Sequence, residues 1–231
     1  MEYYNDSQAI ESKRSLSAQI SRVYGWMFIG LVVSAFTAFL TIADNSPLLS
    51  LVANRFSFIL LIVAEFGLVW FLSSRAMKMT YAAAAAAFLV YSILNGLTLS
   101  VIFYAYTLGS IYYAFLVAAG FFGFMCVYGL ITKTDLTSIG SLLIMGLFGI
   151  IIASLVNLFI GSSMLNTVIS FVGVAVFLGL TAYDSQKIKN LHYSYAGTDR
   201  EKNVGIIGAL QLYLDFINLF LFILRILGKR R

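Results

Sequence analysis

The stretch IIGALQLYLDFINLFLFILRIL, Ile206–Leu227, decides the fold, because it is long enough to cross a bilayer and carries an acid, Asp215, in its middle. A second acid, Asp184, closes the preceding apolar segment, in the sequence LTAYDSQK. A carboxylate near the bilayer centre costs roughly 2.5 to 3.5 kcal/mol on the insertion scale, so such residues usually serve a function. Handling of ions or protons is therefore the first hypothesis for this chain.

The composition is that of a membrane protein. Of 231 residues, 61% are hydrophobic and 11% are charged, and the mean hydropathy is +0.92. These values exclude an ordinary soluble domain. Because lipid does not tolerate unpaired backbone groups, and because the apolar runs lack the alternation of barrel strands, we expect an all-α integral membrane protein. The net charge of +5 lies in tails and short connections, which indicates orientation in the membrane rather than nucleic-acid binding.

Seven transmembrane helices are predicted. The predicted spans are Tyr24–Ala43, Phe56–Ser73, Tyr81–Phe103, Gly109–Ile131, Ile139–Ile160, Leu165–Tyr183 and Val204–Leu227. They form a single membrane domain, 24–227, between a polar tail, 1–23, and a basic tail, 228–231. Gln211, Asp215 and Asn218 give the last span a polar stripe that cannot face lipid. The last helix is therefore expected to be central in a bundle of the other six.

Basic residues predict the orientation. They occur in the N-terminal tail, at Arg75 and Lys78, and in the long connection predicted at 184–203. With alternating helices these three places share one side, so the positive-inside rule puts the N-terminus in the cytoplasm. The basic tail departs from this rule if the last span crosses the membrane fully, and obeys it if that span enters the membrane and returns on the same side. A span that returns needs a helix-breaking residue in its middle. The glycines of the last span lie at its start, which favours a full crossing.

The acids Asp184 and Asp215 are the predicted site. Two carboxylates at hydrogen-bond distance cannot both ionise at low cost, so the pair is expected to share a proton. Protonated, the pair would join the last two helices; ionised, it would repel and attract a cation, which couples pH to opening. The alternative is structural: Asp215 donates to a backbone carbonyl and Asp184 is a solvated helix end. Further pathway candidates are the polar residues Glu65, Asn95, Asn157 and Asn218, with Arg75 as a possible cationic partner.

Two motifs together resemble the signature of the Bax inhibitor-1 family. They are LTAYDSQK at 180–187 and ALQLYLDFINLFL at 209–221, and NGLTLS at 95–100 and YGLITKTDL at 128–136 also fit. The bacterial inner-membrane branch is most similar. The resemblance implies a seven-helix membrane protein with a central last helix, and a pH-sensitive calcium leak gated by an aspartate pair, which by motif position is Asp184 and Asp215. It also implies an acid and a basic residue on the second helix, matched by spacing to Glu65 and Arg75.

The leading functional prediction is a passive calcium pathway. Two carboxylates offer about four oxygens against the six to eight that calcium prefers, so binding at Asp184 and Asp215 is expected to be weak and transient, as a leak requires. A proton/calcium exchanger using the same pair fits equally well. A membrane interaction protein, acting on other membrane proteins or on a membrane protease through segment 1–12, is the main alternative. An intramembrane protease is disfavoured, because Asp215 lacks the preceding Gly-x-Gly, so no enzyme is predicted.

The remaining distinctive residues are given structural interpretations. No cofactor motif is present, and the single cysteine, Cys126, is expected to serve packing. The only histidine, His192, is expected in a solvated loop. Small residues predict close helix packing at the alanine run 82–87 and at three glycine pairs, Gly120 with Gly123, Gly146 with Gly149, and Gly173 with Gly179.

Overall fold

The computed structural model describes residues 2–44 and 46–231, with side chains from residue 15 onward. The elements of this part of the chain are helices, without a β-strand. The α-helices are α1 Glu2–Ile42, α2 Leu49–Ala53, α3 Arg55–Arg75, α4 Tyr81–Leu99, α5 Ile102–Ala105, α6 Leu108–Ile131, α7 Thr137–Ile160, α8 Ser163–Tyr195 and α9 Glu201–Leu227. Within the described residues, seven helices are long and apolar enough to cross a membrane. The predicted class and number of spans are confirmed.

Local sequence signals explain where the spans begin and end. The side chain of Asn54 accepts a hydrogen bond from the backbone N–H of Phe56 at the start of α3, and Thr80 accepts one from Ala83 at the start of α4. Such short polar side chains satisfy the first N–H groups of a helix. At the other end, Gly161 ends α7 in the left-handed region with φ 68°, a conformation that glycine adopts without strain.

The prediction fails at the end of the sixth span. The long connection predicted at 184–203 is wrong, because α8 continues to Tyr195 and leaves a short turn before α9. Between Asp184 and Gly197 the sequence has no glycine or proline that would end the helix. Gly197 itself has φ 74°, in the left-handed region. The polar segment after Tyr183 also has a buried face, including Ile188 at 2% exposure. Hydropathy therefore located the edge of the apolar run, whereas the helix extends past it.

The polar N-terminal tail is helical in its backbone from Glu2. Met1 and the side chains before Ser15 lie outside the described residues, and the predicted interaction segment 1–12 falls there.

The helices group into two compact units. Unit 1 comprises the chain up to Val101 together with Ile188–Leu210. Its α1 and α4 pack closely, because a Cβ at Gly96 would lie 2.5 Å from the backbone oxygen of Ser34. The hydroxyl of Ser34 also donates to the backbone oxygen of Ser92 at 2.7 Å.

Unit 2 comprises Ile102–Lys187 and Gln211–Arg231. Glycines let its helices approach one another, and α8 contacts three neighbours in this way. The backbone of Gly129 on α6 meets that of Ala182, Gly140 on α7 meets the ring of Tyr183, and Gly173 on α8 meets the ring of Phe222 on α9.

The small-residue prediction is confirmed only in part. Gly173 and Gly179 are each in close contact with a neighbouring side chain. A Cβ at Gly146 would lie 3.2 Å from the side chain of Val176, a less close approach. A Cβ at Gly120, Gly123 or Gly149 would have no neighbouring atom of the described residues within 4 Å, so the close packing predicted at these three glycines is wrong.

Burial separates the last span from the others. In its most apolar window 72% of α9 is buried, compared with 6% for α3 and for α7. A helix that is apolar on most of its surface and also buried is one enclosed by protein rather than by lipid. The central position of α9 in a bundle of the other six stays a prediction.

Candidate functional site

Asp184 lies inside a helix of unit 2 rather than at its end. About three further turns of α8 follow it, so the interpretation as a solvated helix end is wrong. Its side chain is 14% exposed, and its Oδ1 lies 3.9 Å from Nζ of Lys187, one turn further along. Lys187 is 40% exposed, so the cation reaches solvent while remaining beside the acid.

Asp215 is the more deeply buried acid of unit 2, at 4% exposure. Its Oδ2 has no hydrogen-bond partner among the described residues. The carboxyl group interacts electrostatically with Asp184 and with Lys187. The two predicted acids therefore lie within electrostatic range of each other and of a lysine in unit 2, and no hydrogen bond joins the two carboxyl groups among the described residues.

Packing fixes the segments of both helices that carry the acids. Phe216 on α9 stacks edge to face on Phe115 and on Phe122 of α6, each with ring centroids 5.4 Å apart. On α8, the amide oxygen of Gln186 accepts a hydrogen bond from the backbone N–H of Leu136 at 2.9 Å, which ties the α6–α7 connection to the helix.

Gln211 is a further candidate for the site, although the sequence placed it only in the polar stripe of the last span. Its Oε1 is buried without a hydrogen-bond partner among the described residues, as is Oδ2 of Asp215. The two residues are one helical turn apart and share a face. Buried acceptors are normally satisfied by a donor, a water molecule or a cation. The sequence shows the i, i+4 spacing of Gln211 and Asp215, but it does not show that the Oε1 of Gln211 lacks a hydrogen-bond partner among the described residues.

Glu65 belongs to a separate polar group in unit 1. Its Oε1 accepts a hydrogen bond from the hydroxyl of Thr98 at 2.7 Å, and the side chain of Asn95 also bonds to it. Arg75 is exposed at the end of α3 and forms no ion pair with Glu65 within the part of the chain that the structure describes. The predicted partnership of Arg75 with the aspartate pair stays a prediction.

The other amides make local contacts. The Nδ2 of Asn218 donates to the backbone oxygen of Leu214 at 2.8 Å, on its own helix. Asn157 accepts a hydrogen bond from the backbone N–H of Ser162 at 3.0 Å and so caps the end of α7. A capping role explains Asn157 without a place in a pathway.

His192 is buried, so the prediction of a solvated loop histidine is wrong. It lies in the last turns of α8, in unit 1, at 1% exposure. Its Nε2 is 3.3 Å from the hydroxyl of Ser15 on α1.

The described residues contain no group of three or more histidine, cysteine, aspartate or glutamate side chains placed to hold a metal. Any cation at the acid pair would therefore have to complete its shell with neutral oxygens and water.

The fold and the site define a class: a polytopic helical membrane protein with two interacting carboxylates on its last two spans. Comparison with known proteins specifies the class further. The family described as "Inhibitor of apoptosis-promoting Bax1" matches residues 16–231. The chain therefore belongs to the Bax inhibitor-1 family, as the sequence resemblance predicted.

Bacterial relatives match along nearly the whole chain. An uncharacterized protein of Borreliella burgdorferi is 49% identical over 213 residues, which are 92% of each chain. The inner membrane protein YbhL of Escherichia coli is 44% identical over 224 residues, 96% of each chain. An uncharacterized protein of Deinococcus radiodurans is 41% identical over 211 residues, 91% of this chain and 90% of the other.

Proposed function

We propose that this protein is a pH-sensitive passive pathway for calcium in the bacterial inner membrane, with its N-terminus in the cytoplasm, gated by Asp184 and Asp215. The observation that carries the proposal is the interaction of two carboxyl groups on the last two spans, one of them buried with an unpartnered oxygen. The similarity to an inner membrane protein supports the location, and the positive-inside rule supports the orientation.

The gate follows from the cost of placing two negative charges together. With one shared proton, the pair can form a hydrogen bond that holds α8 to α9. Charge is less costly on Asp184, which is partly exposed beside Lys187, than on Asp215, which is enclosed. The shared proton therefore resides on Asp215 in the closed state.

Loss of that proton opens the pathway. Two ionised carboxylates repel, and the hydrogen bond between the helices disappears. The same charges attract a divalent cation, and the buried Oε1 of Gln211 supplies a neutral oxygen one turn away. Because most of the calcium shell must still be water, binding is weak, which allows the ion to leave. Flux should therefore rise with pH.

The test is calcium entry into proteoliposomes that contain the purified protein, measured from about pH 6 to 8. The parent should show flux that increases with pH, whereas Asp215→Asn and Asp184→Asn should lose this dependence. Asp135→Asn is the matched control, since Asp135 is an exposed acid in the α6–α7 connection. Parent-like pH dependence in both pair variants would exclude the gate.

The same vesicles separate a leak from the exchanger that uses the same residues. An exchanger needs a proton gradient, so its calcium flux stops when the pH is equal on both sides. A leak needs only the correct protonation state and continues under these conditions. Absence of flux at every pH would favour the alternative of an interaction protein.

A further inference from the structure

The basic segment that follows α9 is held in an ordered conformation in unit 2. The backbone N–H of Thr107 donates to the oxygen of Lys229 at 3.2 Å, and that of Arg231 donates to the oxygen of Ala105 at 3.1 Å. The N–H of Lys229 donates in turn to the hydroxyl of Ser110 at 2.9 Å. These bonds attach the backbone of the segment to the residues around the start of α6, so its exposed cations project from an ordered backbone.

A fourth cation stands at the same end of the unit. Arg225, in the last turn of α9, is exposed, and its Nη1 donates to the amide oxygen of Asn166 near the start of α8 at 3.4 Å. The guanidinium group also lies over the ring of Phe222, 5.3 Å from its centroid. The ends of three helices of unit 2 thus meet around the basic segment.

No carboxylate side chain compensates these charges within the described part of unit 2. Its acids are Asp135 in the α6–α7 connection, Asp184 beside Lys187, and the buried Asp215. Asp215 precedes Arg225 by 10 residues of helix, a rise of about 15 Å. Within the described residues of unit 2, the four cations therefore have no acidic side chain beside them, and such a group of positive charges attracts anions.

The surface beside the cations is apolar and aromatic. Leu227 is 53% exposed, and on the first turns of α6 Leu108 is 60%, Tyr112 61% and Tyr113 67% exposed. Tyrosines and cations of this kind mark the headgroup level of a membrane protein. A molecule that contacts the cations therefore also contacts apolar side chains.

We infer that Arg225, Lys229, Arg230 and Arg231 bind the phosphate of an anionic phospholipid at the membrane surface. A lipid fits because its anionic headgroup meets the cations while its acyl chains cover the adjoining apolar side chains. The inference is independent of the proposed ion pathway, since it uses none of the residues of the gate. It also gives a reason for four cations at the end of a last span whose full crossing the positive-inside rule disfavours.

The test counts lipids bound to the full-length protein by native mass spectrometry. The purified protein is incubated in zwitterionic detergent with an equimolar mixture of phosphatidylglycerol and phosphatidylcholine with the same acyl chains. Each Lys or Arg near an anionic surface contributes about five-fold in affinity. The triple variant Lys229→Gln/Arg230→Gln/Arg231→Gln should therefore lower the preference for phosphatidylglycerol by about 100-fold, and Arg230→Gln alone by about five-fold.

Two controls make the result decisive. The variant Lys133→Gln/Arg200→Gln/Lys202→Gln loses the same charge from exposed positions elsewhere and should keep the parent preference. An unchanged preference in both tail variants, or an equal loss in this control, would overturn the site. Displacement of phosphatidylglycerol by equimolar inorganic phosphate, or by an equimolar acidic peptide, would overturn the assignment of a lipid as its occupant.

Discussion

Single side chains set the balance of the proposed gate, and Lys187 is the clearest case. Its ammonium group lies 3.9 Å from Asp184 and favours the ionised acid. Replacing Lys187 by Gln removes this support, so a higher pH is needed to ionise the pair. We expect the pH of half-maximal calcium flux to rise by about half a unit, a modest effect because the lysine is partly solvated. Lys133→Gln, in the exposed α6–α7 connection, should leave the midpoint unchanged.

Gln211 offers a test in which stability and flux change in opposite directions. Its buried Oε1 lacks a partner among the described residues, so Gln211→Leu removes an unsatisfied group and should raise the free energy of unfolding by about 1 kcal/mol. The same change removes an oxygen from the pathway and should reduce calcium flux several-fold. Thermal unfolding and calcium flux, measured on separate samples of the same preparation, test the two effects.

A second glutamine serves as the control for that experiment. The amide of Gln186 accepts from Leu136 and donates to the backbone oxygen of Thr134, both at 2.9 Å. Gln186→Leu leaves these groups without their partner and should destabilise the protein. If both leucine variants were destabilised, the oxygen of Gln211 would have a structural role and no part in the site.

At the scale of elements, helix α8 joins an apolar span to a polar extension whose inner face is buried. His192 belongs to that face, and its ring lies against Ser15 of α1 in unit 1. His192→Ala should lower the free energy of unfolding by about 2 kcal/mol, because it leaves a cavity where a fully buried ring was packed. The neighbouring Tyr193 is 52% exposed, so Tyr193→Ala should change the free energy of unfolding by less than about 0.5 kcal/mol. Equal unfolding midpoints for the two variants in a denaturant series would contradict this role for His192.

The elements also show which features of the fold could be predicted from the sequence. Hydropathy located all seven spans, because a span must be apolar over a length that the bilayer fixes. It could not locate the end of α8, since the buried face of its polar extension depends on which helix covers it. The acids were identifiable because a carboxylate in an apolar run is costly wherever it packs. The contacts of Gln211, His192 and the glycines could not be predicted from the sequence, because they depend on which helix packs beside them. Gly129 lies against the backbone of Ala182, whereas a Cβ at Gly120 would have no neighbouring atom of the described residues within 4 Å.

For the molecule as a whole, the length of α9 predicts that the last span crosses the membrane completely. Helix α9 has 27 uninterrupted residues, a rise of about 40 Å against a hydrocarbon core of about 30 Å. A re-entrant turn would need an interruption, and the described helix has none. The two ends of α9 should therefore face opposite sides of the membrane. Lys202, at its start, and Lys229, just past its end, mark these sides.

Cysteine labelling of whole cells can decide this orientation. The only cysteine, Cys126, is buried and is changed to serine to give a background without reactive thiols. A membrane-impermeant maleimide, applied to cells whose outer membrane is permeabilised, should modify Lys229→Cys. It should modify Lys202→Cys only after the inner membrane is also permeabilised. Labelling of both positions under the same condition would show that α9 does not cross, whereas the reverse order would place the N-terminus outside, contrary to the orientation that the basic residues predict.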